Sequence, residues 1–176
     1  MDPPPWDEAA ALARAAQRGN AIALDDLLGL LIPYITAICR PIALTETADA
    51  VQESLLAICR GLPSLRDPQA IHGWARTLAT REAVRLARLA TRVAPADPAR
   101  IEEIEDVATS GAAIELSAEV HDVLLRLDPQ HRAVLVLREI DGLDEREVAA
   151  LLDIPTGTVK SRLHRARSSF RKAWLR

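Results

Sequence analysis

Aromatic residues make up only 3% of the 176-residue chain. Runs of β-branched residues are short, whereas alanine, leucine and arginine dominate. Strands have little to build on, and an all-α chain is the natural expectation. Cysteine is limited to Cys39 and Cys59. Each sits in an apolar helical setting with no His or Cys partner at metal-ligand spacing. That points to buried, reduced thiols in a cytoplasmic protein, with a redox-sensing pair as the alternative. No apolar run approaches the roughly 20 residues that span a bilayer. The acidic, proline-rich start MDPPPWDE also lacks the apolar core of a signal peptide. A cytoplasmic protein with no membrane insertion is therefore expected. The four histidines are scattered, and there is neither a Gly-rich phosphate loop nor a cluster of metal ligands. The sequence offers no catalytic residue, no metal site and no cofactor site.

The net charge of −3 says little about partners. Its distribution says more. Asp97, Glu102, Glu103, Glu105, Asp106 and Glu115 crowd one central stretch, with basic residues on either side. From residue 154 onward there is no acid at all, while Lys160, Arg162, Arg165, Arg167, Arg171, Lys172 and Arg176 are all basic. Such asymmetry implies segments with separate tasks.

Residues 143–167, LDEREVAALLDIPTGTVKSRLHRAR, read as two short helices joined by a tight turn. Val148, Ala149 and Leu152 give the first helix an apolar face, and Ala149 is small enough for a second helix to cross closely. Asp153 falls where the chain must reverse, and Asp tolerates a left-handed backbone. Ile154 plugs the corner. Pro155 suits a first helical turn, and Thr156 or Thr158 can cap it. Val159, Leu163, Ala166 and Phe170 recur at helical spacing and face inward. Lys160, Ser161, Arg162, His164, Arg165 and Arg167 are left to project outward. A solvated helical hairpin explains the charge run, but not the turn chemistry, the small residue and the Pro start together. A capped, basic second helix of this kind suits the DNA major groove.

The rest of the chain reads as further helices. The first runs from residue 6 to 18 and is broken at Gly19-Asn20. The second covers residues 21–39 with a core stripe of Leu24, Leu27, Leu28, Leu31, Ile35 and Ile38, and Pro33 predicts a kink or restart near Leu31. A third starts at Thr45 or Thr47 and turns Val51, Leu55, Ile58 and Cys59 inward. Asp49, Gln52, Glu53 and Leu56 share its opposite face, either as an ordinary solvated stripe or as a partner surface. A fourth, from Gln69 or Ala70 to Thr91, packs Ile71, Trp74, Leu78, Ala79, Val84, Leu86 and Leu89 inward. Arg76, Arg81, Arg85, Arg88 and Arg92 line its outside and can track phosphates or pair with the acidic stretch. Residues 92–116 have linker composition. A second unit follows, with Val120, Val123, Leu124 and Leu127 on one amphipathic helix. Asp128-Pro129 caps the next helix, whose core is Ala133, Val134, Leu135 and Leu137, and Asp141-Gly142 turns the chain. The reading is thus two small helical domains, 1–91 and 117–176, joined by a flexible acidic linker, 92–116.

Three of these segments together resemble a known family. LDPQHRAVLVLREIDGLDEREVAALLDIPTGTVKSRLHRAR (127–167) looks like the fourth-region domain of the extracytoplasmic-function sigma factors of bacterial RNA polymerase, within the sigma-70 family. TADAVQESLLAICRGL (47–62) resembles the polymerase-gripping helix of the second-region domain. HGWARTLATREAVRLARLATR (72–92) is similar to the helix that meets the −10 element, although Arg81 and Arg85 stand where the family commonly carries Asn and Asp. The resemblance implies that Asp49, Gln52, Glu53 and Leu56 meet the clamp helices of the largest polymerase subunit. It implies that His72, Trp74, Arg76, Arg81, Arg85 and Arg88 handle the melted −10 DNA, with a loop pocket at residues 62–72 taking a flipped base. Lys160, Ser161, Arg162, His164 and Arg165 would then lie in the −35 groove, with Thr156 and Thr158 near phosphates. Core RNA polymerase, including its flap, promoter DNA and an anti-sigma protein are the implied partners. The rival is a one-component, dimeric helix-turn-helix regulator.

Overall fold

The computed structural model describes residues 5–93 and 118–175. Among the described residues the chain is all-α, with eight α-helices and no strand. The expectations for the acidic linker fall almost wholly outside them. Helix α1 (Trp6–Gln17) and α2 (Ala21–Ala43) meet at Gly19, whose φ of +91° is left-handed. Asn20 then caps α2, its side chain accepting from the Ala23 N–H at 3.1 Å. Gly and Asn are the residue types for those two roles.

Helix α2 does not restart near Leu31. It runs unbroken through both Pro33 and Pro41. A proline inside a helix costs about 3 kcal/mol, but Leu27 and Leu31 before Pro33, and Ile35, Ile38, Cys39 and Ile42 after it, are all buried. Burying a large apolar side chain returns about 1.5–3 kcal/mol, so six outweigh the lost hydrogen bond. The helical stretch Ala21–Ser64 also contains a window long and apolar enough, by length and composition, to cross a membrane. Counting uninterrupted runs missed it because Asp25, Asp26 and Arg40 break them. The apolar residues of α2 lie in the protein core, packed against α1, α3 and α4.

A 3-10 turn, Leu44–Glu46, leads into α3 (Thr47–Gly61). Its buried line is Ala50, Ser54 and Ile58, with Val51 and Leu55 only half-buried beside it. Helix α4 (Ile71–Val93) follows a 3-10 turn, Pro68–Ala70, capped by Asp67. Its innermost residues are Ile71, Ala75, Ala79, Ala83 and Ala87, each at most 2% exposed. Small side chains every fourth position let α2 and α3 approach α4 closely. Trp74, Leu78, Val84 and Leu86 therefore flank the seam, and Leu89 is 41% exposed.

The C-terminal unit comprises α5 (Ala118–Leu125), α6 (Pro129–Leu135), a π-helical turn (Val136–Ile140), α7 (Glu145–Leu152) and α8 (Thr156–Trp174). Asp128 caps α6 as expected, accepting from the Gln130 and His131 N–H groups. Arg132 is 4% exposed and donates to the Leu124 carbonyl at 3.1 Å. Burial pulls its pKa down to about 10. The two helical units do not stand apart. Helix α4 packs against α6 and α7, and α2 against α6.

Candidate nucleic-acid interface

The helix-turn-helix forms much as its residues require. Asp153 is left-handed at φ 53°, ψ 52°, and the Ile154 N–H returns to the Ala149 carbonyl at 3.0 Å. Val148, Val159, Leu163 and Ala166 close the seam between α7 and α8. Helix α7 carries a full capping box. The Asp144 carboxylate accepts from Arg146 and Glu147 N–H groups, and the Glu147 side chain accepts from the Asp144 N–H at 2.6 Å. Those backbone bonds hold the Asp144 carboxyl below its usual pKa. The spacing Asp144-x-x-Glu147 was the sequence signal for this box, and the sequence reading passed over it. Pro155, by contrast, is itself the N-cap residue of α8 and no side chain caps that helix, so neither Thr156 nor Thr158 plays the expected role. Proline's extended ψ of 145° already sets the entry, and its carbonyl takes the Thr158 N–H at 2.8 Å.

Lys160, Ser161, His164 and Arg165 lie exposed on the outer face of α8. Lys160 reaches Glu145 at 3.6 Å and Arg167 pairs with Glu139 at 2.6 Å. Such exposed pairs hold side chains loosely and contribute little stability. Arg162 is half-buried and turns toward α4 and α6, and Thr156 and Thr158 are half-buried at the start of α8.

On α4, Arg81, Arg85 and Arg88 are exposed, although Arg81 Nε donates to the Leu151 carbonyl at 3.1 Å and Arg85 pairs with Glu82 at 2.6 Å; Arg76 is more deeply held. Its guanidinium pairs with Asp141 at 2.7 Å, with the two side chains 22% and 23% exposed. Burial pushes the Asp141 carboxyl above its usual pKa, and Arg76 offsets only part of that. His72 lies in an aromatic cluster, 4.4 Å from the Trp6 ring and 5.2 Å from Tyr34. Burial, and then the charge of Arg76, lower its pKa. Trp6, the first residue of α1, thus packs onto α2 and α4. Trp74 lies against Gly61, where any Cβ would fall 2.7 Å from its ring. The segment between α3 and α4 is tied down by a residue that sequence reasoning missed: Gln17 donates to the carbonyls of Leu62 at 2.9 Å and Leu65 at 2.7 Å. No motif announces a contact spanning that much chain. Two cavities, of about 330 and 110 Å³, lie between α4 and the C-terminal unit.

On α3, Asp49, Gln52 and Leu56 are exposed together, with Leu56 at 43%. Glu53 is half-buried and lies 3.8 Å from both Arg60 and Arg85.

Comparison with known proteins decides what this scaffold is. Residues 117–169 match the family described as Sigma-70, region 4. Over 136 residues the chain is 33% identical to the ECF RNA polymerase sigma-E factor of Salmonella typhimurium, covering 70% of this chain and 71% of that protein. The chain belongs to the extracytoplasmic-function RNA polymerase sigma factors. The sigma factor is also 28% identical to the RNA polymerase sigma-H factor of Pseudomonas aeruginosa over 182 residues, 92% of this chain and 91% of that one. Its fold is shared with two solved structures. One is CnrH in complex with the cytosolic domain of CnrY, with TM-score 0.58, 24% identity and coverage of 94% of this chain and 96% of that one. The other is the sigma factor RpoE of Bartonella quintana in complex with the anti-sigma factor NepR, with TM-score 0.59, 22% identity and coverage of 85% and 94%. A transcription-initiation sigma factor, not a one-component regulator, is the function these relationships support.

Proposed function

We propose that this sigma factor grips core RNA polymerase through α3 and reads promoter DNA with α4 and α8, in the cytoplasm and without catalysis of its own. In this division residues 1–91 form the core-binding and −10 unit, 92–116 the acidic connection and 117–176 the −35 unit. Asp49, Gln52, Glu53 and Leu56 meet the clamp helices of the largest polymerase subunit. Their support is shared placement: the opposite side of α3, Ala50, Ser54 and Ile58, is wholly consumed by the core.

The observation that carries the DNA assignment is the one-signed outer face of α8. Lys160 and Arg165 stand exposed with Ser161 and His164 on a helix that has no acid from end to end. Side chains of this kind bond to base edges and phosphates in a major groove, and Arg162, Thr156 and Thr158 flank them. On the −10 side, Arg81, Arg85 and Arg88 track phosphates along α4, with Arg76, His72 and Trp74 toward its N-terminal end. The C-terminal unit also meets the polymerase flap. An anti-sigma protein is a further partner, and the arginine-rimmed cleft beside α4 suits an acidic one.

The test is reconstitution of the full chain with bacterial core RNA polymerase on genomic DNA fragments, with start sites mapped. Discrete new start sites are expected. The Gln52→Ala/Glu53→Ala variant should need more sigma factor for the same output while keeping its helical content. Starts identical to those of core enzyme alone would refute the reading.

A further inference from the structure

Helix α3 stops short of α4, and carbonyls left over at its end are taken by a residue far back in the chain. The 3-10 turn Leu62–Ser64 closes with the Leu65 N–H on the Leu62 carbonyl at 3.1 Å. Leu65 is then extended, with ψ 108°, so the last carbonyls lose the N–H groups that a further turn would bring. Gln17 fills that place. Its Nε2 donates to the Leu62 carbonyl at 2.9 Å and to the Leu65 carbonyl at 2.7 Å, which uses both hydrogens of the amide. Gln17 is the last residue of α1, while Trp6, the first, lies on His72 at the start of α4. At about 1.5 Å per residue α1 is about 18 Å long. It packs against both 3-10 turns of the intervening segment, Leu62–Ser64 and Pro68–Ala70. The helix is a splint that holds this segment near both ends, while Ser64, Arg66, Asp67 and Gln69 stay exposed.

We propose that Gln17 is a positioning residue for promoter selection: it touches no DNA, yet it sets how strictly the exposed edge of residues 62–72 discriminates among −10 bases. The inference deepens the −10 assignment made above for the N-terminal end of α4 and rests on it, because this segment leads directly into His72 and Trp74. The physical reason is rigidity. A reading group rejects a wrong base only when it is held in place; a segment free to shift re-forms its bonds with either base. The segment's own polar groups do not anchor it. Ser64 Oγ donates to the Gly61 carbonyl at 2.7 Å, and the Asp67 carboxylate accepts from the Gln69 N–H at 3.0 Å. Both bonds are local and tie the segment only to itself. The two Gln17 bonds span 45 and 48 residues and tie it to the rest of the domain. Among the described residues the side chains of Arg66 and Gln69 have no hydrogen-bond or ion-pair partner, which leaves them to meet bases or phosphates of the opened strand.

The test uses holoenzyme assembled from the full chain and core RNA polymerase. Its templates are a promoter located by start-site mapping and copies with single base substitutions in the −10 and −35 elements. Discrimination is the ratio of open-complex formation rates on the original and substituted promoters. Gln17→Met keeps the side-chain length and removes both donors. It should lower discrimination at one or more −10 positions about tenfold, the scale of two modest hydrogen bonds, and leave −35 discrimination and affinity for core unchanged. Gln17→Lys returns donors within reach of both carbonyls and should restore −10 discrimination; the added charge cancels in the ratio. Undiminished −10 discrimination in Gln17→Met would overturn the proposal, and so would an equal loss at the −35 element, the mark of general loosening. A loss that Gln17→Lys does not repair would overturn the role of the donated bonds. A parent protein that treats all −10 substitutions alike would sink the −10 assignment itself, and the proposal with it.

Discussion

Replacing Gly61 by alanine tests whether close packing or helix propensity governs the junction before α4. Gly61 has φ −88° and ψ −21°, a conformation alanine adopts freely. Propensity alone makes Gly→Ala there worth about 0.5–1 kcal/mol of stabilisation. The new Cβ, however, would sit 2.7 Å from Trp74 Cζ2 and 3.3 Å from Cη2. An indole is rigid, so the ring as a whole or α4 must shift, and overpacking of that kind costs about 1–3 kcal/mol. Sterics win. The expected net effect is a loss of about 1–2 kcal/mol, which at about 2–4 °C per kcal/mol lowers Tm by several degrees. Gly29, also helical and with nothing within 4 Å of its virtual Cβ, is the control. There Gly29→Ala should raise stability by about 0.5–1 kcal/mol. Thermal unfolding followed by circular dichroism measures both, and tryptophan fluorescence reports the displaced ring. If Gly61→Ala proved as stabilising as Gly29→Ala, the contact with Trp74 would not constrain this junction.

Gln17→Ala should free the carbonyls of Leu62 and Leu65, at a cost of about 1 kcal/mol in stability, and weaken discrimination among −10 sequences while leaving −35 binding by α8 intact; equal loss at both elements would mean a general unfolding effect. Tyr34, the only tyrosine, has its phenol pushed up to about 12, chiefly by burial, with Arg76 lowering it and Asp141 raising it. A raised folded-state pKa means its contribution to stability is full below the ordinary value of about 10 and is lost as pH rises through about 12, so phenolate absorbance should appear together with alkaline loosening of the fold, and a transition near 10 in a still-folded protein would contradict the burial. Cys39, with no exposed surface and a thiol pushed up to about 12, mainly by burial, should resist a disulfide reagent at about pH 8 until the chain unfolds; prompt labelling of the native protein would refute that.

Much of this protein is local, and local physics is legible in a sequence. The Asp153 reversal, the Asp128 cap, the Gly19-Asn20 break and the inward line Val159, Leu163, Ala166 each depend on residues within a turn or two, so composition and spacing suffice. The exposed cations of α8 follow from the same periodicity. Other features were decided by distant neighbours. Pro33 predicted a kink or a restart, but the helix does not restart there, because the core on both sides of it outweighs one lost hydrogen bond. The alanine line of α4 outranks its larger apolar residues as the seam, because what matters there is how near α2 and α3 can come. His72 stacks on Trp6, Gln17 holds the carbonyls of Leu62 and Leu65, and Arg76 finds Asp141 across the gap between the two helical units. No pattern along the chain encodes such meetings. They arise because side chains far apart in sequence become the nearest available partners once the helices have packed.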